Sequence, residues 1–124
     1  MGAVNERLVD STGRRWGRRA ERFLRGHGLT IIARNFSAKC GEIDLVMRDG
    51  DHVAFIEVRY RGRSRFGDAA SSVTLKKQQK IVRCAQLFLQ TFPKWANHPC
   101  RFDVIAYDSD GGVGRPIWIR AAFQ

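Results

Sequence analysis

Between residues 12 and 28 the apolar side chains Trp16, Ala20, Phe23 and Leu24 recur on one helical stripe, while Arg15, Arg18, Arg22 and Arg25 fall on the far side. That period predicts an amphipathic helix with a basic back, ended by Gly26 and Gly28. Residues 29–36 then read as a β-rich segment running into a turn at 37–41. Two alternating runs follow, 42–48 and 52–60, joined by Asp49-Gly50-Asp51, a strong hairpin signal. Side chains alternate faces along a strand, so Ile43, Leu45 and Met47 are expected to share a core-facing surface with Ala54, Ile56, Val58 and Tyr60. Glu42, Asp44, Glu57 and Arg59 share the other surface. With Gly50-Asp51 as the turn, Asp44 lies across from Glu57; with Asp49-Gly50, the two are diagonal and Glu42 faces Glu57.

A segment rich in Arg, Gly and Ser (61–72) precedes a second helix, from an N-cap at Thr74 to Thr91, where Pro93 stops it. Ile81, Val82, Ala85, Phe88, Leu89 and Phe92 form its apolar stripe, and Lys76, Lys80 and Arg83 lie opposite. Gln78 is polar yet projects toward the apolar side near the helix start, where it needs a hydrogen-bond partner or a ligand. Residues 101–107 and 116–122 read as two further strands, with a Gly-rich turn at Asp110-Gly111-Gly112 between them. The order helix, strand, hairpin, helix, strand, strand is that of an α/β domain on one mixed sheet flanked by helices.

Length limits this to one domain. The 124 residues, 44% of them apolar, suffice for one core; residues 1–12 are expected to be a flexible N-terminus and 13–124 the domain. No apolar run reaches the roughly 18 residues of a membrane span, and no leader pattern opens the chain, so a cytoplasmic protein with no membrane partner is expected. The three cysteines, Cys40, Cys84 and Cys100, are widely spaced and odd in number, and are read as thiols. His27, His52 and His98 are scattered and read as surface or capping residues. Trp16, Phe23, Phe88 and Phe92 read as core, while Tyr60 and Phe66 flank the basic segment and are candidates for a base or sugar contact.

Charge adds the first functional signal. A net +10 on so small a domain points to a polyanionic partner, DNA or RNA. Arg61, Arg63, Lys76 and Lys80, on the Arg-rich segment and the basic helix face, are the candidate nucleic-acid contacts, together with Lys77. Set against this charge, neighbouring carboxylates on one sheet surface are costly, because facing like charges repel. A hard divalent cation, Mg²⁺ or Mn²⁺, resolves that repulsion with one or two carboxylates and substrate phosphate oxygens. The competing reading pairs Glu42, Asp44 and Glu57 with Arg34, Arg59 and Arg61 in a solvated salt-bridge lattice.

The runs Gly41-Glu42-Ile43-Asp44-Leu45-Val46 and Phe55-Ile56-Glu57-Val58-Arg59-Tyr60-Arg61, with Phe66-Gly67, Val73-Thr74, Lys77-Gln78 and Arg101-Phe102-Asp103-Val104, resemble the bacterial YraN family. That family is similar to archaeal Holliday-junction resolvases of the PD-(D/E)XK restriction-endonuclease-like superfamily. The resemblance runs from about Gly13 to Phe123 and implies a restriction-endonuclease-like fold. It implies Asp44, Glu57 and the carbonyl of Val58 as metal ligands, position 59 and Gln78 as catalytic residues, and Lys77 as a phosphate contact. The family pattern has Lys where this chain has Arg59, which cannot act as a general base. It also has Gly-Glu where this chain has Trp16-Gly17. Glu21 is more than a right angle round the wheel from that position, whereas Glu42 is a candidate replacement metal ligand; Lys39 and Lys77 are the nearest alternative lysines.

The expected function is a metal-dependent DNA endonuclease acting on branched or repair DNA, with a homodimer suited to a four-way junction. The alternative is a non-catalytic nucleic-acid-binding module that kept the nuclease fold. A weaker third reading is a regulatory subunit acting through a protein partner.

Overall fold

The computed structural model describes residues 11–60, 73–107 and 116–124, with side chains from Arg15 onward. Helix α1 (Ser11–Gly26) is followed by strands β1 (Thr30–Ala38), β2 (Gly41–Asp49) and β3 (His52–Tyr60), helix α2 (Leu75–Thr91), a 3-10 turn (Pro93–Trp95), and strands β4 (Cys100–Tyr107) and β5 (Ile117–Phe123). The strands form one sheet in sequence order, β3 and β4 parallel and every other neighbouring pair antiparallel. A parallel neighbour requires a crossover, and α2 supplies it. This five-stranded mixed sheet with two helices is the expected single α/β domain, consistent with a restriction-endonuclease-like fold. Arg61, Arg63, Phe66, the Asp110–Gly112 turn and residues 1–10 lie outside the described residues. Residues 11 and 12, assigned to the N-terminal segment from the sequence, already belong to α1.

The helix ends follow from local chemistry. At the end of α1 the Gly28 N–H donates to Arg25 O and the Leu29 N–H to Leu24 O, with Gly28 at a φ of 94°. This is a Schellman arrangement, and its paired apolar residues, Leu24 and Leu29, both enter the core. At the start of α2, Thr74 is the expected N-cap, its hydroxyl accepting the Lys77 N–H at 3.2 Å.

Both faces of the sheet are buried. Under α1, Ala20 and Leu24 pack with Leu45, Met47, Ala54, Ile56, Ile105 and Tyr107; under α2, Ile81, Cys84, Ala85 and Phe88 pack with Ile43, Val46, Val53, Phe55, Val104 and Ala106. The sequence expectation of one apolar and one polar face therefore needs correcting, because Val46, Val53 and Phe55 bury the second face too. Ile43 also moves. It lies two residues from Leu45 but packs under α2, not under α1. Its β1 partner behaves alike, since Arg34, opposite Leu45, reaches Glu21 on α1, while Phe36, opposite Ile43, packs on Phe88 of α2. The pleat is inverted between these pairs, where Asn35 takes a left-handed φ of 52°. Asp44 sits at that inversion.

A second correction concerns the cysteines. Cys40, in the β1–β2 turn, and Cys84, on the inner face of α2, form a disulfide with a Cα–Cα distance of 5.6 Å; Cys100 alone is a free thiol. A separation of 44 residues hid the pair, because the crossover helix closes the distance. Phe92, expected in the core, packs on Phe36 and Phe88 but remains exposed over nearly half its surface. The two described histidines with polar contacts serve as expected, His27 against Phe23 O and His98 against Asp51 O.

Candidate metal and phosphate cleft

The β2–β3 hairpin turns through Gly50 and Asp51, with Gly50 at a φ of 60°. Paired positions run from Asp49–His52 to Leu45–Ile56 and stop there, whereas β3 stays paired with β4 through Tyr60–Tyr107 and β2 with β1 back to Gly41–Ala38. The sheet forks: β2 leaves with β1 and β3 with β4. Continuing the register would set Asp44 opposite Glu57. At the crotch, the Val58 N–H has no ladder partner on β2, and the Asp44 carboxylate accepts it at 2.8 Å.

A cleft of about 250 Å³ opens there, lined by Trp16, Glu42, Asp44, Glu57, Val58, Arg59, Tyr60 and Lys77. Trp16 comes from α1 and Lys77 from α2, so both helices wall the fork. Glu57 is 5% exposed. Its Oε2 lies 3.3 Å from Lys77 Nζ and 3.6 Å from an Arg59 guanidinium nitrogen. Burial, and then the neighbouring Glu57 carboxylate, push Asp44 well above the usual carboxylate range, against the Val58 N–H, which holds it down. Glu42 adds to the rise and Lys77 opposes it.

Of the residues singled out in the sequence, Asp44, Glu57, Val58, Arg59, Glu42 and Lys77 meet in this cleft. Among the described residues, no group of three or more His, Cys, Asp or Glu side chains could hold a metal ion; Asp44 and Glu57 are the carboxylates that the fork brings to neighbouring positions, and Glu42 lines the same cleft. A pair of carboxylates with a nearby main-chain carbonyl still suits a hard divalent ion that keeps several waters. Gln78 is not part of the lining. Its amide donates to Val73 O at 3.1 Å, which supplies the partner that its place on the wheel demanded, and it faces a separate groove with Leu75, Val82 and Gln86. Lys76 and Lys80 are exposed on α2.

One neighbour was set aside in the sequence for its place on the helical wheel. Glu21 is buried and lines a second cavity with Gly17, Arg18, Arg34, Asn35, Leu45 and Asp44 itself, on the α1 side of the fork. Its carboxylate takes two 2.7 Å bonds from Arg34 and one of 3.2 Å from Arg25. The Arg34 bond holds its pKa below the usual range, overcoming burial. The signal available was Arg34, a cation on a strand otherwise rich in apolar residues. Asp103, by contrast, is structural: wholly buried, it accepts from Arg101, Trp118 Nε1 and the Ala121 N–H, and so anchors the irregular end of the β4–β5 pairing.

Comparison with known proteins agrees with the sequence resemblance at the family level. A family model described as uncharacterised protein family UPF0102 matches residues 17–107. A UPF0102 protein of Pseudomonas syringae is 52% identical over 119 residues, covering 92% of this chain and 97% of the relative. Another, of Stutzerimonas stutzeri, is 49% identical over 114 residues, covering 92% and 95%. A third, of Pseudomonas fluorescens, is 49% identical over 122 residues, covering 94% and 99%. With the matched segment running from α1 to the end of β4 and taking in every residue of the cleft except Trp16, the chain belongs to the UPF0102, or YraN, family.

Proposed function

We propose that this chain binds DNA and hydrolyses its phosphodiester backbone with Mg²⁺ or Mn²⁺ held by Asp44, Glu57 and the Val58 carbonyl. The observation that carries this reading is the fork between β2 and β3, which gathers two carboxylates, a lysine and an arginine in one cleft on a protein of net charge +10. The fold sets Asp44 beside Glu57 at a cost in repulsion, and a cation between them removes it. When bound, the ion supplies Lewis acidity toward water and a phosphate oxygen. The chain's own groups do the rest. The Arg59 guanidinium forks onto phosphate oxygens. Lys77, on a rigid helix at 3.3 Å from Glu57, is placed to hold the same phosphate or to exchange a proton with water beside it. It thus stands where the family lysine is absent at position 59.

A second reading rests on that same contact. Lys77 and Arg59 both bring positive charge to Glu57, and cations that offset the carboxylate from the protein itself suit a binding module that has no chemistry to perform. Labelled duplex, flapped and four-way-junction DNA, incubated with Mn²⁺, Mg²⁺ or chelator, separates the two. Metal-dependent cutting by the wild type that disappears in Asp44→Ala supports the nuclease. Binding that is equal in chelator, with no cutting by either protein or by Arg59→Lys, supports the module.

A further inference from the structure

On the α1 side the cleft ends in an aromatic ladder. Tyr107 is 3% exposed in the core; Trp16 stands 4.8 Å from it, and Tyr60 stacks on Trp16 at 4.8 Å with an interplanar angle of 17°. The Arg19 guanidinium lies 4.7 Å from the Trp16 ring centre and 5.2 Å from that of Tyr107. Trp16 is therefore held by two rings and a cation, and its orientation is set before any ligand arrives. Tyr60, the outermost ring, is 48% exposed. It adjoins Arg59 in the chain and lines the same cleft as Asp44, Glu57 and Lys77.

We infer that Tyr60 is a stacking platform for one unpaired nucleobase, which makes the cleft selective for nucleic acid with a single-stranded nucleotide beside the phosphate at Arg59 and Lys77. The inference rests on the nucleic-acid reading above and deepens it. A flat π-face at the end of a rigid stack accepts any base, and nearby cations take the attached phosphate. A base inside an intact duplex is already stacked on both sides and has no free face to offer, so the platform discriminates by strand state and not by sequence. A purely structural Tyr60 would only hold α1 against β3, and leucine would serve much of that purpose.

The test uses the full chain in chelator, so that binding is read without cutting. The probes are a fluorescent DNA hairpin with a three-nucleotide thymine overhang, the same hairpin with an abasic overhang, and a blunt hairpin, followed by anisotropy and by tryptophan emission. Wild type and Tyr60→Phe should bind the thymine overhang about 5- to 100-fold more tightly than the abasic one, with quenched emission. Tyr60→Leu and Tyr60→Ala should bind both overhangs alike, at the wild-type affinity for the abasic probe. Equal binding of all three probes by the wild type, or unchanged discrimination in Tyr60→Leu, overturns the platform and leaves the phosphate-binding cleft standing. Failure of every probe to bind, both in chelator and with Ca²⁺ supplied in place of Mg²⁺, overturns the nucleic-acid reading and the platform with it.

Discussion

Lys77 Nζ lies 3.3 Å from Glu57 Oε2 because the first turn of α2, fixed by the Thr74 cap, overhangs the point where β3 parts from β2. The lysine thus reaches the carboxylate from a helix, while the strand position two residues beyond Glu57 carries Arg59. If the proposed chemistry needs one ammonium group in the cleft, Lys77→Met should lower cleavage by about 100-fold or more. Adding Arg59→Lys to that variant should restore part of the activity. Single-turnover rates on the preferred DNA measure both, and a double variant no better than Lys77→Met would show that the two positions are not interchangeable.

Burial and the Glu57 carboxylate both disfavour the charged form of Asp44, so ionising it in this poorly solvated fork costs stability. Asn at that position retains an oxygen for the Val58 N–H and removes the repulsion. Asp44→Asn should therefore melt higher than the wild type in chelator at neutral pH, by about 1 kcal/mol or roughly 3–6 °C. Millimolar Mn²⁺ should raise the melting temperature of the wild type and leave that of Asp44→Asn unmoved. Thermal denaturation in the four conditions checks both statements.

Glu21 works in the opposite direction. Its Arg34 bonds lower the folded pKa beneath the ordinary 4.5, so its stabilising contribution is complete above that value and fades as pH falls through the depressed folded value. Arg34 is itself 53% exposed and screened, so the effect is set at roughly 1–2 kcal/mol. Glu21→Gln should be less stable than the wild type at pH 7 by this amount, with the gap closing at low pH. Urea titrations at pH 7, 4.5 and 3 read the difference directly.

The Cys40–Cys84 disulfide ties the turn before β2 to the middle of α2 and so braces the α2 wall of the fork against β2. Closing a loop of 44 residues is worth about 4 kcal/mol in the chain-entropy picture. A reductant should lower the melting temperature of the wild type markedly and leave Cys84→Ala, already unbridged, unchanged. The oxidised protein should also weigh about two mass units less than its reduced form, as forming one S–S bond removes two hydrogens.

Much of the fold was legible along the chain because its signals are local. The arginine-backed stripe of α1, the Thr74 cap and the Asp49-Gly50-Asp51 turn each depend on residues within one or two turns of backbone. Strand parity likewise grouped Asp44, Glu57 and Arg59, since a hairpin converts sequence spacing into spatial opposition. Parity failed where its premise of an unbroken pleat failed. The left-handed Asn35 lies on the neighbouring strand, and nothing near Ile43 announces that its side chain will pack under α2. The same distance hid the approach of Glu21 to Asp44, which depends on how α1 crosses the sheet, and the disulfide, whose approach depends on how α2 closes the crossover. Chain pattern specified which residues are apolar, charged or turn-forming. Packing of the two helices on a forked sheet then chose which of the charged ones meet, because those contacts join segments that are remote in sequence and no local period encodes them.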